Sequence, residues 1–272
     1  MTVAAQPDPA TPAYTFDNDD PAAAERLALS SAVLDGFTTL RLSSVGKLTG
    51  RRCLELGAGN GSIAGWLVAQ VGPSGQVLAT DINTRPIPAY PGYTVVRHDL
   101  TADPLPDGPW DVIHARLVLG HLPGRHDILR RLVGALAPRG ALAIEEWDDS
   151  HAGLVLAVPE PEAATLFPAY LTAVERLLTA RGLDHGWPWQ VHAAMASAGL
   201  VDVDTVVHAR SWPGGSAGAL HHAANIHLLR PRLLEVGITG EELDRLSGFL
   251  HDPHMVVRGL LTISTVGRRP ES

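Results

Sequence analysis

The residues with the clearest chemical meaning are three glycines that alternate along one short loop. Gly57, Gly59 and Gly61 follow a short apolar strand that begins at Cys53, and an amphipathic helix begins directly after Ser62. Glycine allows a sharp turn and lets a ligand approach bare backbone. A strand, a glycine loop and a helix in this order predict a site for a nucleotide-like molecule. A tight turn without a ligand is the alternative, but alternating glycines would weaken a turn that nothing occupies.

A second chemical group follows the next predicted strand. Residues 76–82 are largely apolar and end with Asp81 and Ile82. In a doubly wound α/β fold, the carboxylate that holds the ribose hydroxyls lies roughly 20 residues beyond the glycine loop, at the end of the second strand. Asp81 matches that position, and we expect it to bind a ribose. A carboxylate that only forms the turn is the alternative.

The spacing of the loop separates two classes of ligand. A dinucleotide loop has the pattern Gly-x-Gly-x-x-Gly/Ala, which would place a serine of this chain at the third small position. The run Glu55-x-Gly57-x-Gly59-x-Gly61 instead resembles motif I of the class I S-adenosylmethionine (SAM)-dependent methyltransferases. The resemblance implies that the loop holds the methionine end of SAM and that Glu55 helps to anchor its amino group. A nicotinamide dehydrogenase is therefore disfavoured.

Further parts of the same family pattern follow in order over residues 53–147. Asp99 closes the third predicted strand and is similar to the family's acid near the adenine amino group. The sequence Leu-Ala-Pro-Arg-Gly before the apolar strand 141–147 resembles the family's Leu-Lys-Pro-Gly-Gly. The resemblance implies SAM as the cofactor and S-adenosylhomocysteine (SAH) as the product. It also implies a set of cofactor-binding residues, namely Glu55, Gly57, Ala58, Gly59, Gly61, Asp81, Ile82, Asp99, Leu100 and Arg116.

Length, charge and cysteine usage narrow the class of partner. With 272 residues and 45% apolar composition, the chain can bury a full core. A net charge of −8 argues against nucleic-acid phosphate as a partner. We find no signal peptide, and no apolar run approaches the roughly 20 residues that span a bilayer. The only cysteine, Cys53, excludes a disulfide within the chain. We predict a cytoplasmic protein with a small-molecule substrate and no nucleic-acid or membrane partner; a homodimer stays open.

The order of predicted elements indicates an α/β fold. We expect a doubly wound, Rossmann-like sheet of seven strands, with the last strand antiparallel as the resemblance implies. Residues 1–20 are expected to form a flexible tail or lid, and 21–272 a single domain. The core is expected at about 48–150, 200–210 and 255–268. The segments 21–47, 151–190 and 211–253 are expected to form a helical cap. The last two leave the sheet at the edge where open α/β folds bind ligands, and we expect them to build the substrate pocket with the N-terminal helices.

Local signals predict several element boundaries. A helix should begin at Pro21 after an Asp20 N-cap, break near Asp35-Gly36 and then resume. The connection 83–92 contains three prolines and cannot form a regular helix. Thr239-x-x-Glu242 is typical of a capping box at a helix start.

Methyl transfer requires little from a protein beyond positioning, exclusion of water and removal of a proton from the acceptor. His121 is the first candidate base, because some small-molecule O-methyltransferases that resemble this chain place a catalytic histidine after strand four. Those enzymes continue with Asp-Trp-Asp, whereas this chain continues with Leu-Pro-Gly. A histidine that only packs the loop is the alternative. Asp148, after strand five, is the second catalytic candidate.

Aromatic residues and one histidine are candidates for substrate binding. Trp147 and Trp187 can form a wall for a flat or apolar molecule. His222 lies in a predicted cap helix, and Tyr14 and Phe16 can close over the ligand as a lid. Core packing of the tryptophans and simple anchoring of the tail are the alternatives.

The histidines of the cap do not predict a metal site. His221 and His222 point to different sides of a helix, and no His-x-x-x-His pair occurs. The predicted function is therefore transfer of a methyl group from SAM to an oxygen, nitrogen or carbon atom of a small molecule, in the manner of bacterial natural-product biosynthesis. A SAM-fold enzyme that catalyses a cyclisation or rearrangement, and a non-catalytic SAM-binding regulator, are the alternatives.

Overall fold

The computed structural model describes residues 21–148 and 155–271, which contain ten β-strands. The strands are β1 (Arg52–Leu56), β2 (Gln76–Asp81), β3 (Tyr93–Arg97), β4 (Trp110–Arg116), β5 (Leu136–Asp148), β6 (Val155–Ala157), β7 (Val201–His208), β8 (Ser211–Pro213), β9 (Val256–Arg258) and β10 (Leu261–Arg268). Seven of them form one sheet in the order β3-β2-β1-β4-β5-β10-β7.

The centre of this sheet is parallel and buried on both faces. Leu54 of β1 is fully buried and pairs in parallel register with Leu78 of β2 and Ile113 of β4. Covered strands of this kind are apolar along their whole length, which explains the short apolar runs in the sequence. At the other end, β10 runs antiparallel to both neighbours, with Thr262 opposite Trp147 and His208. The predicted fold class, including its antiparallel last strand, is confirmed.

Seven α-helices surround the sheet in the described part of the chain. They are α1 (Pro21–Ser43), α2 (Ser62–Val71), α3 (Arg125–Ala135), α4 (Ala163–Thr179), α5 (Trp187–Ser197), α6 (Ala217–Glu235) and α7 (Gly240–His251), and a 3-10 turn covers Leu119–His121. Their packing divides the apolar core into three clusters. One lies on each face of the sheet, against α2 on one side and α3 and α5 on the other. The third lies within a cap built from α4, α6 and α7.

Two of the predicted boundaries are wrong. Helix α1 runs through Asp35-Gly36 without a break, because Gly36 has open space around it and the Asp35 carboxylate is paired with Arg116 at 2.9 Å. Strand β5 begins at Leu136, five residues before the predicted strand, across a register shift opposite Trp110. The Asp20 N-cap lies outside the described residues.

Two other local predictions are confirmed. The connection between β2 and β3, which carries three prolines, contains no helix. At the start of α7, the Thr239 hydroxyl accepts a hydrogen bond from the Glu242 backbone N–H, and the Glu242 carboxylate accepts one from the Thr239 backbone N–H. This is the complete capping box.

A small sheet that the sequence does not predict joins the cap to the main sheet. It has the order β6-β9-β8, and the Trp212 ring of β8 lies against Gly218 and Gly259. A Cβ atom on Gly218 would lie 2.1 Å from that ring, so only glycine permits the contact. Trp212 thereby holds the start of α6 in place. None of the helices in the described ranges has the length and apolarity needed to cross a membrane.

Candidate functional site

The glycine loop between β1 and α2 has a backbone that favours glycine. Gly57, Gly59 and Gly61 have φ angles of 64°, 58° and 78°, in the left-handed region. A Cβ atom on Gly57 would lie 2.3 Å from Cγ2 of Val118, which belongs to the segment after β4. The loop therefore turns tightly across the carboxyl ends of two neighbouring strands, as the sequence pattern predicts.

Two carboxylates lie beside this loop. Asp81 accepts hydrogen bonds from the backbone N–H groups of Gly59 (3.0 Å) and Asn83 (2.9 Å). Burial nevertheless raises the pKa of Asp81 above its ordinary value. At Asp99, hydrogen bonds from the hydroxyl and backbone N–H of Thr101 lower the pKa. Both groups are placed where they can accept hydrogen bonds from a ligand.

A single cavity of about 350 Å³ connects the loop with the cap. At one end it is lined by the loop and the ends of β2 and β3, and at the other by α1, α4 and α6. Most of the residues predicted to bind ligand line it, namely Glu55, Gly57, Ala58, Gly59, Asp81, Ile82, Asp99, Leu100, Arg116, His121, Trp147 and His222.

Three predicted residues do not line this cavity, and two lie outside the described residues. Gly61 is the N-cap of α2, and a Cβ atom there would lie 3.1 Å from the side chains of Ile87 and Tyr93. Trp187 is fully buried in the core between α5 and the sheet. Asp148 is also fully buried, and its carboxylate accepts a hydrogen bond from an indole N–H. Tyr14 and Phe16 belong to the part of the chain that the structure does not describe.

A buried charged group lies beneath the loop. Nδ1 of His114 donates to the Glu55 carboxylate at 2.7 Å, and its Nε2 lies 3.7 Å from the Glu145 carboxylate. Burial alone would lower the pKa of His114, but the two carboxylates outweigh it and raise the pKa to about 9. His114 is therefore protonated at neutral pH, and its hydrogen bond fixes the position of the Glu55 carboxylate.

Arg116 connects the sheet to α1. Its guanidinium pairs with the Asp35 carboxylate at 2.9 Å and donates to the Thr38 hydroxyl, also at 2.9 Å. Thr38 in turn donates to the Glu145 carboxylate, and Ser62 donates to Asp35 at 3.2 Å. Arg116 lines the cavity, but its charge already has a partner on α1. Its contacts fix α1 against the glycine loop.

Glu146 is a cavity residue that the sequence analysis missed. It is 4% exposed, and its carboxylate accepts a hydrogen bond from the backbone N–H of Gly120 at 3.1 Å. Burial raises the pKa of Glu146 to about 7. The sequence contained a signal for this residue, because two adjacent acids stand at the end of an apolar strand. Successive side chains of a strand point to opposite faces of the sheet, so the two acids must lie on different faces.

The cap end of the cavity has a hydrogen-bonded polar wall. Nε of Arg26 on α1 donates to the side chain of Asn225 on α6 at 2.7 Å, and the Ser30 hydroxyl lies 3.1 Å from Nδ1 of His221. The Tyr170 hydroxyl donates to the backbone carbonyl of His222 at 3.4 Å. In the ranges that the structure describes, no group of three or more His, Cys, Asp or Glu side chains could hold a metal ion.

The sheet order, the antiparallel β10 and the ligand cavity at the glycine loop define a Rossmann-like α/β protein of the class I methyltransferase type. The sequence model of the methyltransferase domain family matches residues 30–200, and the chain belongs to this family. The predicted resemblance is confirmed.

The chain is also similar to curated methyltransferases over part of its length. Over 112 residues the chain is 40% identical to methyltransferase str2 of Strobilurus tenacellus, which covers 38% of this chain and 39% of that protein. It is 34% identical over 134 residues to methyltransferase str3 of the same organism, which covers 47% of each chain. The chain therefore spans about half or less of the length of these curated relatives.

Solved structures share the fold. A phosphoethanolamine N-methyltransferase of Haemonchus contortus, in complex with phosphomonomethylethanolamine and SAH, superimposes with a TM-score of 0.52 at 14% identity. The match covers 90% of this chain and 52% of that one. The YcgJ protein of Bacillus subtilis also has a TM-score of 0.52 at 14% identity and covers 86% of this chain and 98% of its own. At these identities the likeness concerns the fold.

Proposed function

We propose that this protein transfers a methyl group from SAM to a small molecule. The observation that carries the proposal is the continuity of one cavity. The glycine loop, Asp81 and Asp99 line one end, and Trp147 and His222 line the other. A cofactor held at the loop and an acceptor held by the cap would share this cavity.

The residues at the loop end fit SAM by their chemistry. SAM presents ribose hydroxyls, an adenine amino group and an α-amino group, all of which donate hydrogen bonds. Three carboxylates that line this end, those of Glu55, Asp81 and Asp99, would accept them. Gly57 and Gly59 leave backbone uncovered for the methionine end. Bound there, SAM supplies a methyl group activated by a sulfonium and leaves as SAH.

The chain's own residues would bind the acceptor, exclude water and move a proton. Leu171 and Val174 of α4 line the cavity, and their apolar side chains would help to keep water from the reacting atoms. His121, on the 3-10 turn that follows β4, lines the cavity and is the proposed base from the sequence pattern. Asp148 lies off the cavity and receives no role in this proposal.

The substrate belongs to the proposal as well. A net charge of −8 and a cavity of about 350 Å³ favour a small molecule over a nucleic acid. We propose oxygen or nitrogen as the acceptor atom. Carbon is retained because the chain is 26% identical, over 140 residues, to a protein named ubiquinone/menaquinone biosynthesis C-methyltransferase from Pseudomonas fluorescens. We also propose a role in natural-product biosynthesis. Residues 21–272 would act as one domain in this reaction.

Calorimetry and mass spectrometry test this function together. Titration with SAM and SAH should give saturable binding, and incubation with SAM and a panel of phenols, amines and carboxylic acids should give products heavier by one methyl group, together with SAH. A product of unchanged mass would identify a cyclisation or rearrangement. Binding without turnover of any acceptor would favour a regulator, and absence of binding would contradict the proposal at its first step.

A further inference from the structure

We infer that Arg26 binds a carboxylate of the methyl acceptor, so that the substrate class is a small-molecule acid. This inference rests on the proposed function and names the kind of acceptor that the cap would hold. It comes from the position of Arg26 in the cavity, from the charges around it and from the chemistry of the guanidinium group.

One face of α1 lies against the glycine loop. A Cβ atom on Gly59 would lie 3.5 Å from the Leu27 side chain, and the Ser31 hydroxyl donates to the side chain of Asn60 at 3.1 Å. Leu27 and Ser31 are four residues apart and therefore share one face of the helix. All four residues line the cavity, so this face of α1 lies beside the place proposed for SAM.

The neighbouring face of α1 contacts the cap and carries Arg26. Nε of Arg26 donates to the side chain of Asn225 on α6 at 2.7 Å, and the hydroxyl of Ser30, four residues later, lies 3.1 Å from Nδ1 of His221. Because a guanidinium can only donate, the amide oxygen of Asn225 must face it. Arg26 and Asn225 both line the cavity. The guanidinium therefore belongs to the acceptor end of the cavity.

The charges of the cavity are divided between its two ends. The cavity residues of α1, α4 and α6 include no acid, whereas Glu55, Asp81 and Asp99 lie at the loop end. Arg26 is 9% exposed, so bulk water screens its charge weakly. Arg181, two residues after the end of α4, also lines the cavity. The loop end thus suits the donor groups of SAM, and the cap end suits an anion.

The ionisable groups beside Arg26 are uncharged at neutral pH. Burial lowers the pKa of His221 well below its ordinary value, and the Arg26 charge adds to that shift. Burial raises the pKa of the Tyr170 hydroxyl, although Asn225 and Arg26 oppose that shift. Burial also lowers the pKa of His222 to about 4. Arg26 therefore carries the charge of this hydrogen-bonded group.

A carboxylate is the anion that fits this wall. A planar guanidinium donates two parallel hydrogen bonds to the two oxygens of a carboxylate, and the single charges of the two groups balance. A guanidinium has five N–H donors, and Asn225 takes the one on Nε. The Trp147 ring meets His221 edge to face, with ring centroids 5.2 Å apart, and Leu171 lines the same cavity. These apolar surfaces suit a flat body attached to the carboxylate.

Matched acids and amides test the inference as ligands of the protein with SAH bound. The probes are 4-hydroxyphenylacetate and 4-aminophenylacetate, each compared with its primary amide, which has nearly the same shape and no charge. By calorimetry, the wild type should bind at least one acid about 10–100-fold more tightly than its amide, the range expected for hydrogen bonds to a charged group. Equal affinities for acid and amide, or no binding of either acid, would overturn the inference.

Variants of Arg26 separate its charge from a structural role. Arg26→Gln should abolish the preference for acids and leave the affinity for the amides nearly unchanged. Arg26→Lys keeps the charge without the planar fork and should retain part of the preference. The matched control is Arg41→Gln, because Arg41 lies on the same helix, is 8% exposed and pairs with Asp204 away from the cavity. This control should keep the wild-type preference. An equal loss of acid and amide binding in both Arg26 variants would mean a structural role and contradict the inference.

The α-carboxylate of the cofactor is the rival ligand for Arg26. SAH has this carboxylate, whereas 5′-methylthioadenosine lacks it, and calorimetry with both molecules separates the two sources. If Arg26→Gln weakens SAH binding but changes neither the binding of methylthioadenosine nor the preference for acids, Arg26 binds the cofactor and the inference fails. Loss of the preference in Arg181→Gln but not in Arg26→Gln would place the carboxylate elsewhere and would also overturn it.

A measurement on the wild type applies even if Arg26→Gln does not fold. In ¹H–¹⁵N spectra of the arginine Nε groups, one signal should move on addition of 4-hydroxyphenylacetate and stay in place with its amide. Arg26→Lys, which has no guanidinium, should lack this signal and thereby assign it. An Arg26 signal that does not respond to the acid would contradict the inference.

Turnover separates the inference from the function on which it rests. With SAM, an acid that binds through Arg26 should give a product heavier by one methyl group. Binding of acids through Arg26 without methylation of any acceptor would overturn the proposed function and keep Arg26 as an anion-binding residue. Methylation of neutral acceptors, with acids bound no better than amides, would support the function and overturn the inference.

Discussion

The backbone N–H of Gly59 donates a hydrogen bond to Oδ2 of Asp81 at 3.0 Å. The bond joins the glycine loop after β1 to the end of β2, and its two partners line one cavity. The left-handed φ of Gly59 and the charge of Asp81 therefore belong to one structural unit. A change at either residue should disturb the other, and the first two predictions follow from this.

Gly59→Val should abolish measurable SAM binding. The φ angle of +58° is strained for any residue with a Cβ atom and most of all for a β-branched one. The space at this position is not limiting, because a Cβ atom would meet only Leu27 at 3.5 Å. Gly65→Ala is the control, since Gly65 lies in α2 with open space around it. Calorimetry with SAM on folded protein is the measurement, and undiminished affinity in Gly59→Val would exclude the loop as the binding site.

Asp81→Asn should weaken SAM binding by about 10–100-fold, the range expected when a hydrogen bond to a charged group is lost. The amide also cannot accept from both Gly59 and Asn83 as the carboxylate does. Asp244→Asn is the control, because Asp244 pairs with Arg230 on the exposed surface of the cap. Equal dissociation constants for the wild type and Asp81→Asn would argue against ribose binding by this residue.

His114→Ala should lower the free energy of unfolding by about 3–5 kcal/mol at pH 6, because it leaves the buried carboxylates of Glu55 and Glu145 without a cation. His227→Ala, at an exposed site, should change stability by less than about 0.5 kcal/mol. Urea denaturation measures both.

The pH dependence of the His114 effect has a defined sign. Its pKa is raised from 6.5 to about 9 in the folded protein. The stabilisation is therefore fully present below pH 6.5 and is lost as the pH rises through about 9. The difference between the wild type and His114→Ala should narrow over this window, and a constant difference would contradict protonation of His114 in the fold.

Glu146→Gln should flatten the pH dependence of stability between about pH 4.5 and pH 7. Burial raises the pKa of Glu146 from 4.5 to about 7, so its favourable contribution is complete below pH 4.5 and is lost as the pH rises through 7. Glutamine keeps an acceptor for the Gly120 N–H and carries no charge. At pH 8 the variant should be more stable than the wild type by on the order of 2 kcal/mol. Parallel stability curves from pH 4 to pH 8 would contradict this.

The sequence by itself determined the features that depend on nearby residues. The left-handed turn at Gly57 and Gly59 follows from local backbone geometry. The position of Asp81, roughly 20 residues beyond the loop, follows from strand length. The prolines between β2 and β3, and the capping box at Thr239, act within a few residues. These signals depend little on residues that are remote along the chain, and so the fold class could be predicted from them.

Only the tertiary structure decided which residues meet across the cavity. Ser30 and His221 are 191 positions apart, and their contact exists because α1 packs along α6. Trp187 and Asp148 match patterns for a site, but the packing of α5 against the sheet buries them away from it. Burial and shifted pKa values arise from neighbours that are remote along the chain, and no local pattern contains them.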